Sequence, residues 1–72
     1  MDKRSLSISG HRTSIALEPE FWAALELMAA EGGQTMAALI RTIDANRQTA
    51  NLSSAARLAV LQWYQQAAAT RP

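Results

Sequence analysis

The stretch that decides the fold is residues 5–17, with the sequence SLSISGHRTSIAL. Apolar and polar side chains alternate on both sides of Gly10, and this pattern predicts β-structure with one buried face. The alternation slips by one residue at Gly10–His11. A two-residue turn there would form a hairpin that pairs Leu6 with Ile15. A glycine bulge within one longer strand would also correct the phase.

Three helical segments follow this ribbon. Pro19 suits a first helical position, and Gly32–Gly33 suits a helix end. Thr35 and Ser53 are predicted N-caps of the next two helices. The predicted helices cover about residues 19–31, 35–45 and 53–66, followed by a frayed tail at 67–72. The fold class is therefore mostly α with a short N-terminal β ribbon at residues 5–17, in one domain spanning residues 1–72.

Length and composition exclude several classes of protein. The chain has 72 residues, no cysteine and a single histidine, His11. Disulfides, cysteine zinc sites and multi-histidine metal sites are therefore excluded, and no cofactor is predicted. No nucleophile–base–acid set is present, which argues against an enzyme. The sequence has neither a membrane span nor an apolar leader segment, so a cytoplasmic protein is expected.

The net charge of +1 hides an uneven distribution along the chain. Residues 1–17 carry three bases and one acid, residues 18–31 carry four acids and no base, and residues 32–72 carry four bases and one acid. If one face meets a polyanion, the basic ribbon lies on that face and the acidic first helix is turned away.

Three segments in this order resemble the ribbon-helix-helix (Arc/MetJ-like) superfamily. They are RTSIAL at residues 12–17, Pro-Glu-Phe at 19–21 and GQTMAALIR at 33–41. The last resembles the family's second-helix start, Gly-x-Ser-x-Ser-x-x-Ile-Arg, with Thr and Ala in place of the two serines. Lys-Arg-Ser at 3–5 and Gly-His-Arg-Thr at 10–13 are similar to a group of short bacterial members.

The resemblance implies an intertwined homodimer in which two chains pair their strands. It also implies that the ribbon enters the major groove of double-stranded DNA. Arg12, Ser14 and Ala16 would then contact bases. The residues implied to contact phosphate are Lys3, Arg4, Gln34 and Thr35. Ser53 is an alternative to Thr35, because residues 51–57 are a weaker version of the family's second-helix start. The implied dimer core comprises Ile15, Leu17, Phe21, Leu39, Ile40, Ile43 and Trp63.

Two functions follow as hypotheses. The first is a sequence-specific transcriptional regulator, acting as a repressor or as the DNA-binding part of an antitoxin with a toxin partner. A stand-alone regulator is favoured over an antitoxin, because residues 67–72 are short for a toxin-binding tail. The second is a homodimeric protein-interaction module on the same fold without DNA binding. The third helix would either cap its own dimer or build a tetramer.

Overall fold

The computed structural model describes residues 1–47 and 49–70. Two strands, β1 (Asp2–Ile8) and β2 (His11–Leu17), precede three helices. These are α1 (Pro19–Glu31), α2 (Met36–Asn46) and α3 (Leu52–Ala69). The architecture confirms the predicted class, a mostly helical domain with a short N-terminal ribbon. None of the helices in the described ranges combines the length and apolarity needed to cross a bilayer.

The two strands form an antiparallel hairpin, which is one of the two arrangements left open by the sequence. The turn is Ser9–Gly10, with φ values of 52° and 81°. Positive φ at both central residues is what a type I′ hairpin turn requires. The predicted turn at Gly10–His11 is wrong by one residue, so Leu6 pairs with Thr13 and not with Ile15.

Burial could not have distinguished the two registers, because they differ by two residues and leave the same side chains on each face. The observed turn extends the ladder, since it allows Asp2 to pair with Leu17. Both strands then use all of their seven residues in pairing.

The hairpin is contained within one chain. The resemblance implied that β2 would pair with a strand of a second chain, but its partner here is β1 of the same chain. The reason is the apolar alternation before Gly10, which gives residues 2–8 a core-facing side of their own. A single chain therefore presents a complete two-stranded ribbon.

The helices pack against one face of this hairpin and build the core. Ile8, Ile15 and Leu17 are buried there beside Trp22 of α1. The Trp22 indole Nε1 donates a hydrogen bond of 2.8 Å to the main-chain oxygen of Asp2, so the ring also holds the start of β1. Of the predicted dimer-core residues, five are buried within the single chain, Ile15, Leu17, Leu39, Ile40 and Ile43, and two are only partly buried, Phe21 and Trp63.

The helix starts agree with the predictions for α1 and α2 and differ for α3. The Thr35 hydroxyl accepts a hydrogen bond from the Ala38 amide, as expected of an N-cap. For α3 the N-cap is Asn51, whose Oδ1 accepts from the Ser54 amide, so Ser53 lies inside the first turn. The helix also continues to Ala69 instead of fraying at residue 67, because alanine is the strongest helix former. The predicted tail residues Arg71 and Pro72 lie outside the described residues.

We predict that Gly10→Ala lowers the free energy of unfolding by about 1 kcal/mol, because a Cβ is disfavoured at positive φ. Gly32→Ala is the matched control, since Gly32 has a φ of −85° and ends α1 in a conformation that any residue adopts. An added Cβ there would lie 3.3 Å from Nε2 of the exposed Gln34 side chain, whose flexible end can move aside. Its expected effect lies within about 0.5 kcal/mol of zero. Urea unfolding of the three proteins measures the difference, and equal losses at the two glycines would contradict the assigned turn.

Candidate nucleic-acid interface

The candidate interface is the outer face of the hairpin, which we define as the six residues that alternate away from the helices. Three cross-strand pairs form it: Lys3 with Ala16, Ser5 with Ser14, and Ser7 with Arg12. Five of the six side chains are exposed, and Ala16 is half-buried. The structure thus brings together Lys3, Arg12, Ser14 and Ala16, which the sequence nominated, and adds Ser5 and Ser7.

The chemistry of the outer face consists of two cations, three hydroxyls and one methyl group, without a carboxylate. Lys3 and Arg12 form no ion pair within residues 1–47 and 49–70. The Ser5 and Ser14 hydroxyl oxygens lie 3.2 Å apart, within hydrogen-bonding distance of each other. Because a hydroxyl both donates and accepts, such a row can match either donors or acceptors on a ligand.

The dimensions of the hairpin match a duplex groove. Seven residues at about 3.3 Å each give a strand of roughly 23 Å, and two strands lie about 5 Å apart. The major groove of B-DNA is about 12 Å wide and admits a two-stranded ribbon. Helices cover only the opposite face of the hairpin, so the outer face is open to such a ligand.

Arg4 is placed on the inner face, unlike its neighbour Lys3. Its guanidinium lies 4.5 Å from the centroid of the Trp22 ring, close enough for a cation–π interaction. Its Nη1 also donates to Glu26 Oε1 at 3.0 Å. The arginine that the sequence assigned to phosphate therefore joins β1 to α1, and alternation along β1 is the signal that could have revealed this.

Arg57 of α3 has a similar joining role. Its Nε and Nη2 donate to the two carboxylate oxygens of Glu18 at 3.0 and 3.2 Å, a forked geometry that favours specificity. A main-chain hydrogen bond at Glu18 itself, followed by the bond from Arg57, holds the pKa of the Glu18 carboxyl below its ordinary value. Sequence reasoning missed this contact, because 39 residues separate the partners.

The remaining predicted phosphate residues lie at helix starts and not on the outer face. Gln34 and Thr35 are exposed at the beginning of α2, where the Thr35 hydroxyl already caps the helix. Ser53 is half-buried in the first turn of α3, which Asn51 caps. The predicted phosphate residues at the start of α2 are therefore exposed, whereas the predicted residue at the start of α3 is half-buried.

In a comparison with protein-family models, residues 1–64 match a family described as a ribbon-helix-helix domain. The chain belongs to the ribbon-helix-helix family. Domains of this family are generally DNA-binding transcription regulators without catalytic activity, and they typically dimerise. The matched range includes the hairpin and α3 up to Tyr64. No curated protein and no solved structure matches the chain.

We predict that Glu18→Gln makes stability less sensitive to acid. The pKa of Glu18 is lowered in the folded protein, so its stabilising contribution is present above the unfolded-state pKa and is lost as the pH falls through the folded-state pKa. Urea midpoints measured from pH 7 to pH 3 should fall less steeply for this variant. Glu20→Gln, in the same turn, is the matched comparison, because Glu20 is exposed and forms no ion pair in the described ranges. The slope for Glu18→Gln should be shallower than the slope for this variant. Equal slopes for Glu18→Gln and the wild type would contradict the lowered pKa of the Glu18 carboxyl.

Proposed function

We propose that this protein is a sequence-specific DNA-binding transcriptional regulator that inserts the outer face of its hairpin into the major groove. The observation that carries the proposal is the composition of this face. Its two cations form no ion pair with any residue of 1–47 and 49–70, its three serines are exposed, and none of its six residues is acidic. Phosphate contacts supply affinity and base-edge contacts supply specificity, and this face offers groups for both.

Four of the six outer-face residues have a proposed role that follows from their chemistry. Arg12 is positioned to donate two hydrogen bonds to guanine, and Ser14 to donate to or accept from a base. Ala16 offers only a methyl contact to thymine. Lys3, at the open end of the hairpin, is proposed to contact phosphate and to add affinity that does not depend on sequence. Thr35 would approach a phosphate through the main-chain amides at the start of α2. The Gln34 main-chain amide donates to the Ala29 oxygen at 3.0 Å, so Gln34 would contribute its side-chain amide.

Arg4 has no part in this proposal, because its guanidinium is occupied by Trp22 and Glu26. The same contacts help DNA binding indirectly. Glu26 and Glu18 are two of the four acids of residues 18–31, and each is paired with an arginine. These ion pairs reduce the negative charge that α1 would otherwise present to a nearby polyanion.

The proposed mode of regulation is steric. A protein that occupies the major groove at an operator blocks access by other proteins, so we propose a stand-alone repressor. An antitoxin role with a toxin partner is a narrower alternative within the same function. The rival function, a protein-interaction module without DNA binding, is favoured by one observation, the exposed apolar side chains Leu58, Leu61 and Tyr64 on α3.

The first test is a fluorescence-anisotropy titration with random duplexes at ~50 mM and ~200 mM salt, followed by selection of the tightest sequences. We expect affinity that falls steeply with salt, because binding to phosphates releases counterions. On a selected duplex, Arg12→Ala should lose about tenfold or more in affinity, within the range of about 1–3 kcal/mol for a bidentate contact to a base.

Arg41→Ala is the matched control, since Arg41 is exposed on α2 and also forms no ion pair in the part of the chain that is described. Its affinity should change less than that of Arg12→Ala and equally for all duplexes. Absence of binding by the wild-type protein at ~50 mM salt would refute the proposed function and favour the interaction module.

A second prediction concerns the single-chain ribbon. Leu6 and Thr13 are ladder partners on the inner face, and paired residues in a sheet lie within the Cα separation that a disulfide spans. The chain has no other cysteine. Leu6→Cys/Thr13→Cys, when oxidised, should therefore remain a single covalent chain and bind the selected duplex as tightly as its reduced form. Covalent dimers, or loss of affinity on oxidation, would indicate that strands are exchanged between chains.

A further inference from the structure

The two strands of the hairpin carry the same pattern of side chains. Residues 2–8 have the sequence DKRSLSI, and residues 11–17, nine positions later, have the sequence HRTSIAL. Five of the seven aligned positions agree in chemical type: one pair of cations, one of serines, two of branched aliphatic residues and one of small residues. The two positions that differ alternate with the outer face, so all six outer-face residues are matched in type.

The register of the hairpin converts this repeat into a two-fold symmetry. Ser5 pairs with Ser14 at the middle of the ladder. In an antiparallel pair, a half-turn about an axis through the middle pair, perpendicular to the sheet, exchanges the two strands and keeps each face on its own side. This half-turn moves each residue of β1 onto the β2 residue nine positions later, because the middle partners are nine positions apart. The sequence repeat and the register therefore describe the same axis.

The axis places Lys3 and Arg12 at equivalent positions. Both side chains are exposed, and each is followed two positions along its strand by a serine. Each also lies opposite a small residue, Ala16 for Lys3 and Ser7 for Arg12. Four residue steps of about 3.3 Å and one strand spacing of about 5 Å separate the two cations by roughly 14 Å. This separation corresponds to about four base pairs at about 3.4 Å each.

A DNA duplex has two-fold axes of the same kind, because its strands are antiparallel. A protein with a two-fold axis presents equivalent groups to the two DNA strands, which is why operator palindromy mirrors protein symmetry. The two cations of this hairpin differ in how they recognise a base. The arginine fork matches guanine in a fixed plane, whereas the lysine ammonium is a point charge that a phosphate also satisfies.

We infer that one hairpin contacts two halves of its DNA site and determines the sequence of only one of them. Arg12 selects a guanine in the first half. Lys3 contacts the second half without selecting a base, so the site of a single hairpin is asymmetric. Residue 3 is then the specificity-determining position for the second half, and lysine leaves that half unspecified. This inference rests on the proposed function and names the class of DNA site that the outer face binds.

The test uses Lys3→Arg, which keeps the charge and makes the two halves alike. The guanine contacted by Arg12 is first located as the base whose replacement weakens binding by the wild type but not by Arg12→Ala. A palindromic duplex then receives a second guanine on the opposite strand, about four base pairs away. The wild type should bind the selected and palindromic duplexes with equal affinity, whereas Lys3→Arg should prefer the palindromic one by about fivefold or more.

Ser5→Arg is the matched control, because Ser5 is exposed on the same strand and face but lies beside the axis. It should not prefer the palindromic duplex. Three results would overturn the inference and leave the proposed function intact: equal binding of both duplexes by Lys3→Arg, the same preference in Ser5→Arg, or a preference for the palindromic duplex in the wild type. Absence of binding by the wild type would refute the proposed function and the inference with it.

A second measurement exchanges the two cations. Arg12→Lys should lose most of its preference for the selected guanine over other bases. Lys3→Arg/Arg12→Lys should regain this preference, because the protein then binds the duplex after a half-turn. A double variant that discriminates no better than Arg12→Lys would show that the two positions are not equivalent, contrary to the inference.

Discussion

The pairing of β1 with β2 constrains everything else in this domain. A two-residue turn sets the register, and the register decides which side chains face the helices. Ile8, Ile15 and Leu17 are buried as a result, each worth about 1.5–3 kcal/mol. Small domains have a net stability of only about 5–15 kcal/mol. A slip of one residue would turn one strand over and expose the apolar side chains of that strand, so such a slip is strongly disfavoured.

The same alternation places the basic residues of the hairpin on two different faces, where they make different contacts. Lys3 and Arg12 lie on the outer face without ion pairs in the described ranges, whereas Arg4 lies on the inner face against Trp22 and Glu26. Arg57 of α3 makes similar contacts. Its guanidinium donates hydrogen bonds to both carboxylate oxygens of Glu18 and lies 5.8 Å from the centroid of the Phe21 ring. Two arginines thus tie the hairpin and α3 to α1. The number of charges along the chain cannot separate these roles, because Lys3 and Arg4 are neighbours whose side chains lie on opposite faces of β1.

Much of the fold was predictable because its signals are local. Alternation identified the ribbon, Pro19 identified the start of α1, and Thr35 identified the N-cap of α2. The turn was misplaced because both candidate registers bury the same residues. The cap of α3 was misplaced because Asn51 and Ser53 are comparable caps, and only the full helix distinguishes them.

The candidate site was predictable only in part for a different reason. Arg12, Ser14 and Ala16 followed from alternation in β2 together with the family resemblance. Ser5 and Ser7 obey the same alternation in β1, but they join the outer face only once β1 is known to pair with β2 in the same chain. The alternation allowed either a hairpin or one longer strand with a bulge at Gly10, so the sequence left open whether the residues before Gly10 pair with β2.

The side chains of the outer face make few contacts with the rest of the described residues. Its only side-chain hydrogen bond in the described ranges joins Ser5 to Ser14, two members of the face itself. Exchanging these residues for others suited to a strand would leave the core and its ion pairs untouched. Selection could therefore retune such a surface over a few substitutions while the scaffold stays constant, and related chains could diverge in target without losing stability.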